Sequence, residues 1–332
     1  MSQILQQLIF DSTIPFAERA RRVFNFQSSS NSVYSTFAEV LGINGDLFVD
    51  FPIHKIPLIP IRVFKEAEIK SYEGSSGLLF KSSGTGKMTQ SLHYVKDISV
   101  YIKAIENEFY RHFPQDSTSL LCYTPGYADN PHSSLIWMLN HLVNQDPTGL
   151  SRFIPLHEPL KNFSLQPLIE NNRNIVLFGA AFGLLDLLDC ESDSLPATAQ
   201  IVETGGMKTH RREISKSELR NILSEGFQIP QQQIHSEYGM CELLSQSYAI
   251  GNEWFTPPEW VCMSVRDSTN PERICEPHEA GKLGVIDLAN LYSCSFILTD
   301  DKAVMDENGR FKIVGRWNKA EMRGCNFLID RD

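Results

Sequence analysis

Three short segments carry residue types that do chemistry together. In Lys81-Ser82-Ser83-Gly84-Thr85-Gly86-Lys87, glycines let backbone N–H groups approach an anion, hydroxyls can donate to it, and lysine supplies charge. That is the make-up of a phosphate loop. The segment is not a Walker A loop: Lys81 stands where the first Gly belongs, and Met88 stands where Ser or Thr would hold magnesium. It is not a dinucleotide fingerprint either, because Thr89 occupies the position of the third Gly. Taken alone, it reads equally well as a flexible polar turn.

In Ser236-Glu237-Tyr238-Gly239-Met240-Cys241-Glu242-Leu243, the Glu242 carboxylate could hold a magnesium ion that bridges nucleotide phosphates. Tyr238 could stack on a planar base. By itself the segment is also an ordinary turn with an exposed Glu. In Thr204-Gly205-Gly206-Met207-Lys208-Thr209-His210-Arg211-Arg212, fixed positive charges precede a capping box, Ser215-x-x-Glu218. Cations at a helix N-terminus oppose its dipole, so this placement adds nothing to the helix. A bound anion reconciles the two, since helix N–H groups and basic side chains both attract it. A solvated basic turn is the plainer alternative.

The whole chain is acidic, which makes any phosphate site a local matter. Its 332 residues carry 30 Lys and Arg against 40 Asp and Glu, a formal charge of −10. That balance argues against a nucleic-acid or anionic-membrane binder. The seven cysteines are scattered, with no zinc spacing, as expected of reduced thiols in the cytoplasm. The N-terminal MSQILQQLIF lacks a basic region, and the most apolar run, 175–185, is too short to cross a bilayer. A cytoplasmic protein is expected.

Short apolar runs alternate with amphipathic stretches, which predicts an α/β fold. Strands are predicted at 56–64 (interrupted by Pro60), 78–80, 119–124, 174–179 and 201–206. A helix is predicted over 97–113 with Asp97 as N-cap, and another opens at Ser215. Beyond Trp260 the texture becomes β-rich, in WVCMSV, KLGVIDL, CSFILT and FKIVGRW, and the polar stretch 266–282 reads as the loosest connection. The expected layout is an α/β nucleotide- and acyl-binding body over 1–260 and a β-rich subdomain over 261–332.

The series FKSSGTGK, ETGGMKTHRREIS, HSEYGMCELLSQSYA, DLANLYSCSFILTDD and VGRWNKAEMRGCNFLI runs in order through about three-quarters of the chain. It resembles the motif series of adenylate-forming enzymes, the acyl-CoA synthetase superfamily, and more narrowly the LuxE-type acyl-protein synthetase family. The resemblance implies the fold of the adenylate-forming N-terminal domain, a layered α/β body with a smaller β-rich C-terminal part. It implies ATP and Mg²⁺ as cofactors, and a carboxylic acid, in the narrower family a fatty acid, as substrate. Ser82, Ser83, Gly84, Thr85, Gly86 and Lys87 would face the phosphates. Gly205, Gly206, Tyr238 and Gly239 would border the adenine. Asp301, with Asp300 a rival, would grip the ribose; Arg316 would approach ribose or phosphate; Glu242 would hold the metal.

The implied reaction makes an acyl-adenylate and passes the acyl group to a thiol, Cys325 or one on a partner such as a reductase or carrier protein. Arg323 beside Cys325 would favour the thiolate, whereas a buried strand thiol would be inert. Cys241 and Cys294 are rival thiols. Three departures from the pattern stand out. The phosphate loop has one Thr and no Pro before Lys87, and Cys241 replaces the usual Thr. The chain also ends at Asp332, where a full adenylate-forming enzyme would begin its lid with the catalytic lysine. Lys208, Arg211 and Arg212 are then the candidate cations at the transition state. The alternatives are an aryl-acid or CoA ligase, an ATP-independent Cys acyltransferase or thioesterase, and a degenerate nucleotide-binding protein. His93, His132 and His235 are expected to be structural, and Trp254, Phe255 and Trp260 to pack the core.

Overall fold

The computed structural model describes residues 2–43, 50–83, 90–126, 128–156, 158–190, 194–205 and 214–317. Three helices open the chain, α1 (Ser2–Leu8), α2 (Phe16–Ser30) and α3 (Ser32–Val40). Ala20, Val23, Phe24 and Gln27 recur at helical spacing and form the buried face of α2. Asn31 ends α2 and caps α3, its Oδ1 accepting from Tyr34 N at 3.0 Å.

The predicted strand at 56–64 is mostly absent. Only β1 (Ile59–Pro60) pairs, and α4 (Val63–Glu66) follows. Pro57 and Pro60 have no N–H to give a ladder, which confines the segment to a short edge pairing. Next, β2 (Leu78–Lys81) and β3 (Leu92–Val95) form an antiparallel hairpin with Lys81 opposite Leu92.

The central sheet takes its strands from β4 (Thr118–Tyr123), β5 (Arg152–Phe153), β6 (Asn174–Ala180), β7 (Gln200–Thr204), β8 (Ile234–Tyr238) and β9 (Ser247–Ala249). Their order is β5-β4-β6-β7-β8-β9, parallel except for the β8–β9 pair. The helices are α5 (Ile98–His112), α6 (Ser134–Asn144), α7 (Gln166–Glu170), α8 (Ala181–Asp189) and α9 (Lys216–Phe227). Asp97 caps α5 as expected, accepting from Ser99 N at 2.9 Å, and Ser215 caps α9, accepting from Glu218 N at 3.1 Å.

The central strands β4 and β6 are apolar over 120–123 and 175–180 because both faces are covered. Leu120, Cys122, Val176 and Phe178 face one core with α5 and α6, while Leu121, Tyr123, Ile175 and Leu177 face another with α8 and α9. This is the period-2 alternation of a strand between two helical layers.

A second sheet contains β10 (Val261–Arg266), β11 (Gly281–Asp287), β12 (Phe296–Met305) and β13 (Phe311–Arg316), antiparallel to one another. It also takes in β1, parallel to β12, and its Val285, Phe296 and Ile297 share one continuous core with Phe24 and Tyr34 of the opening helices. Segment 266–282 is better tied than its polarity suggests. Asp267 accepts from Thr269 N at 2.8 Å and Asn270 N at 3.0 Å, and Arg273 joins Asp267 to Glu279. The segment returns to the sheet at Gly281, where a Cβ would lie 2.2 Å from Arg266 O and 2.8 Å from Cys275 Sγ. Gly281→Ala is therefore expected to cost about 2 kcal/mol, as an overpacked backbone contact. A urea-unfolding midpoint equal to the wild type would refute that tight closure.

Candidate functional site

In a parallel α/β sheet the chain turns into helices at the carboxyl ends of the strands, and ligands are met there. Gly205, just past β7, has φ +86°, a left-handed conformation that suits glycine. Beneath it Glu203 is buried and accepts from Lys216 Nζ at 2.5 Å and from Ser236 Oγ. Lys216 also reaches Gly205 O at 3.4 Å, so this lysine ties the start of α9 to the glycine turn. Sequence reasoning passed over Lys216, although a lysine at the first position of a helix, against the dipole, was a signal. On the opposite face of the sheet Thr204 donates to Glu237. Gly239 follows, where a Cβ would meet Glu237 Oε1 at 2.4 Å, so the turn after β8 requires glycine.

The structure brings Tyr238, Asp301 and Arg316 together from three strands. Tyr238 Oη donates to Asp301 Oδ2 at 2.8 Å, and Arg316 Nε donates to Asp301 Oδ1 at 3.2 Å. The antiparallel register sets Asp301 opposite Arg316. The tyrosine ring packs against Phe311, at 5.2 Å between centroids, and Phe255, at 5.8 Å. Asp300 points to the other side of β12, 3.1 Å from Lys282 Nζ. The rival carboxylates are thus separated, and only Asp301 joins Tyr238.

At the β2–β3 hairpin, Ser82 N donates to Ser91 O at 3.0 Å and Ser82 Oγ accepts from Ser91 N at 2.8 Å. Ser82 therefore closes the base of the loop, with half-buried Ser83 beside it. Lys81 N donates to His132 O at 2.9 Å, and His132 Nδ1 meets Leu79 O at 3.1 Å, which docks the stretch before α6 on β2. Gly84, Thr85, Gly86, Lys87, Gly206, Lys208, Arg211, Arg212 and Cys325 lie outside the described residues.

Glu242 is 7% exposed, in the turn between β8 and β9. Asn290 Nδ2 donates to Glu242 O at 2.7 Å, and Leu244 N donates to both Asn290 Oδ1 at 3.0 Å and Asp287 Oδ2 at 3.1 Å. Ser245 Oγ, itself accepting from Trp260 Nε1, donates to Asp287 Oδ1 at 2.7 Å. Burial pushes the Asp287 carboxyl up to about 6, against the pull of these donors. From the other side His93 donates through Nδ1 to Cys241 O at 2.7 Å and accepts at Nε2 from Ser293 Oγ at 2.8 Å. That tautomer follows from a carbonyl partner at Nδ1. Burial holds His93 neutral, with its pKa lowered to about 4. Asp287 and Asn290 fall within the motif DLANLYSCSFILTDD, but the sequence did not mark what they hold, because Leu244 N, Ser245 Oγ and Glu242 O lie more than forty residues away.

Among the described residues no group of three or more His, Cys, Asp or Glu could hold a metal. One buried carboxylate suits Mg²⁺ as a nucleotide-bound ion, which takes one or two carboxylates and completes its shell with phosphate oxygens and water.

This fold is that of the N-terminal domains of adenylate-forming, acyl-CoA synthetase-like enzymes. A 2-hydroxyisobutyryl-CoA ligase solved with 2-HIB-AMP and CoA superposes with a TM-score of 0.64 at 11% identity, over 92% of this chain and 77% of that one. The luciferase-like enzyme of the mealworm Zophobas morio gives 0.52 at 16% identity, over 76% of this chain. ATP-bound MatB from Rhodopseudomonas palustris gives 0.50 at 14%, over 74% of this chain. The chain spans only 59% of the mealworm enzyme and 49% of MatB. No curated protein matches the sequence. The family model described as "Acyl-protein synthetase, LuxE" matches residues 161–332, just over half of the chain, and the chain belongs to that family.

The neutral state of His93 gives a pH dependence with a definite sign. A base whose folded pKa is depressed contributes stability that is complete above its unfolded value near 6.5 and lost as pH falls through about 4. His93→Asn, which keeps a donor toward Cys241 O, should remove up to about 1.4 kcal/mol per pH unit from the slope of stability in that window. Chemical denaturation of both proteins at pH 4.5 and 6.5 measures it, and equal slopes would contradict a titrating buried imidazole.

Proposed function

We propose that this chain activates a carboxylic acid, most simply a fatty acid, with ATP and passes the acyl group to a thiol. The observation that carries the reading is the convergence of Tyr238, Asp301 and Arg316 at the strand ends of an adenylate-forming fold, in a chain of the acyl-protein synthetase family.

In the first step a carboxylate oxygen attacks the α-phosphorus of ATP, the α–β phosphoanhydride bond breaks, and pyrophosphate leaves. Catalysis here is positioning and charge neutralisation, because carboxylate and phosphates repel one another. Ser82 and Ser83, with Gly84, Thr85, Gly86 and Lys87, are assigned to the phosphates. Gly205, Gly206, Tyr238 and Gly239 border the adenine. Asp301 is assigned to the ribose hydroxyls, which a carboxylate can accept as hydrogen-bond donors. Arg316 sits on the ribose and phosphate side. Lys208 and Arg211, with Arg212, add positive charge. Glu242 holds the nucleotide's Mg²⁺, which when bound neutralises phosphate charge.

In the second step a thiolate attacks the acyl carbon, the bond from that carbon to the AMP oxygen breaks, and AMP leaves; the thiol proton has gone to solvent. Cys325 is the assigned thiol, with delivery to a reductase or carrier protein to follow. Among its rivals, Cys294 is fully buried and its pKa is pushed up to about 12, so it is neither accessible nor ionised. Cys241 is half-buried. No helix among the described residues is long and apolar enough to cross a membrane. The scattered cysteines support placing the enzyme in the cytoplasm.

ATP–pyrophosphate exchange across a panel of fatty and aryl acids tests the first step; no exchange with any acid would sink it. Glu242→Gln should lower exchange about a hundredfold, as loss of one transition-state charge contact does. Cys325→Ser should keep acyl-AMP formation and lose hydroxylamine-sensitive labelling of the protein. Undiminished labelling would place the thiol elsewhere, and labelling from an acyl-thioester without ATP would favour an ATP-independent transferase.

A further inference from the structure

The turn between β8 and β9 is anchored to residues far from it in sequence, and the anchors bracket one residue. The peptide plane before Glu242 contains Cys241 O, which accepts from His93 Nδ1 at 2.7 Å. The plane after it contains Glu242 O, which accepts from Asn290 Nδ2 at 2.7 Å. Peptide units are rigid, so fixing both planes fixes φ and ψ of Glu242 and with them the direction of its Cα–Cβ bond.

Both anchors are themselves immobilised by the short segment 290–294. His93 Nε2 accepts from Ser293 Oγ at 2.8 Å; Asn290 Nδ2 donates also to Cys294 O at 3.2 Å; Ser293 N donates to Asn290 O at 3.0 Å. Asp287 completes the arrangement by accepting from Leu244 N and Ser245 Oγ, so the chain is held again just past Glu242. His93, Asp287 and Asn290 are all essentially buried. Turns commonly give their backbone groups to water. Here they are given to buried side chains, a costly arrangement unless each is fully satisfied, and one that admits a single geometry.

We propose that His93, Asn290 and Asp287 are positioning residues that aim the Glu242 carboxylate at the nucleotide-bound divalent cation. The proposal rests on the reading of Glu242 as the magnesium carboxylate. Removing Asn290 or His93 should leave the carboxylate present but free to swing, weakening the metal more than the nucleotide.

The test is calorimetric binding of ATP to the full chain across a Mg²⁺ titration, with metal-free AMP binding measured alongside. Glu242→Gln should raise the Mg²⁺ concentration at half-effect. Asn290→Ala and His93→Ala should each raise it about tenfold, the usual scale for removing an outer-shell partner of a metal ligand. AMP affinity should stay at the wild-type value in both. Amide exchange of peptides covering 240–246 should quicken in both variants. His93→Asn, which restores a donor to Cys241 O, should restore the midpoint, a rescue that a packing role would not produce. Should Asn290→Ala fail to fold, the His93 pair carries the test. If Glu242→Gln shifts the midpoint and the anchor variants do not, the positioning role is overturned while the reading of Glu242 stands. If Glu242→Gln leaves the midpoint unmoved, or the wild type shows no Mg²⁺ dependence, the reading of Glu242 falls and the positioning role with it.

Discussion

Asp287 carries a carboxylate into a site with no exposed surface, and its surroundings are arranged around it. One oxygen receives Ser245 Oγ and Ala289 N, the other Leu244 N. Burying a carboxylate is costly unless such donors surround it, and once they do, each is held in place by the same bonds. Asp287 ends β11 and caps the short 3₁₀ turn Leu288–Asn290. It therefore joins the β-rich sheet to the turn after β8, the strand that carries Tyr238. Gln27 of α2 then donates to Asn290 O and Leu291 O, which ties the opening helices to the same point.

This junction explains how residues from distant parts of the chain share one site. The central sheet presents β7 and β8 with glycine turns at their carboxyl ends, while the second sheet supplies Asp301 and Arg316 by antiparallel register. Neither sheet holds the set alone. Their alignment comes from the continuous apolar core that runs from Phe24 and Tyr34 to Phe296, and from the polar contacts around Asp287. Burial excludes water from these contacts, which strengthens each one and makes a missing partner expensive.

Much of this was legible in the residues. The runs at 119–124 and 174–179 are apolar at successive positions because helices cover both faces of the strands. Asp97 and Ser215 announced their helices through local capping. The failure at 56–64 was local too: apolar residues suggested a strand, but Pro57 and Pro60 could not join the ladder. Segment 266–282 misled differently, because its polar side chains bond to one another and to the segment's own backbone. The site was read as motifs in order, and those motifs named Tyr238, Asp301, Arg316 and Glu242. They put Asp301 first with Asp300 a close rival, and the two differ in the side of β12 they face.

Local rules acting within a few residues are written in the sequence by itself: strand and helix periods, caps, glycine turns, and the family that the ordered motifs mark. The tertiary structure alone decided which carboxylate meets Tyr238, that Lys216 lies under Gly205, and that His93, Asp287 and Asn290 hold the turn bearing Glu242. Those pairings join side chains to one another or to backbone atoms, 11 to 148 residues apart. A backbone carbonyl or amide is chemically the same at every position, so no residue type marks it as a partner. Only the folded chain brings the two within hydrogen-bond distance and excludes the water that would otherwise compete.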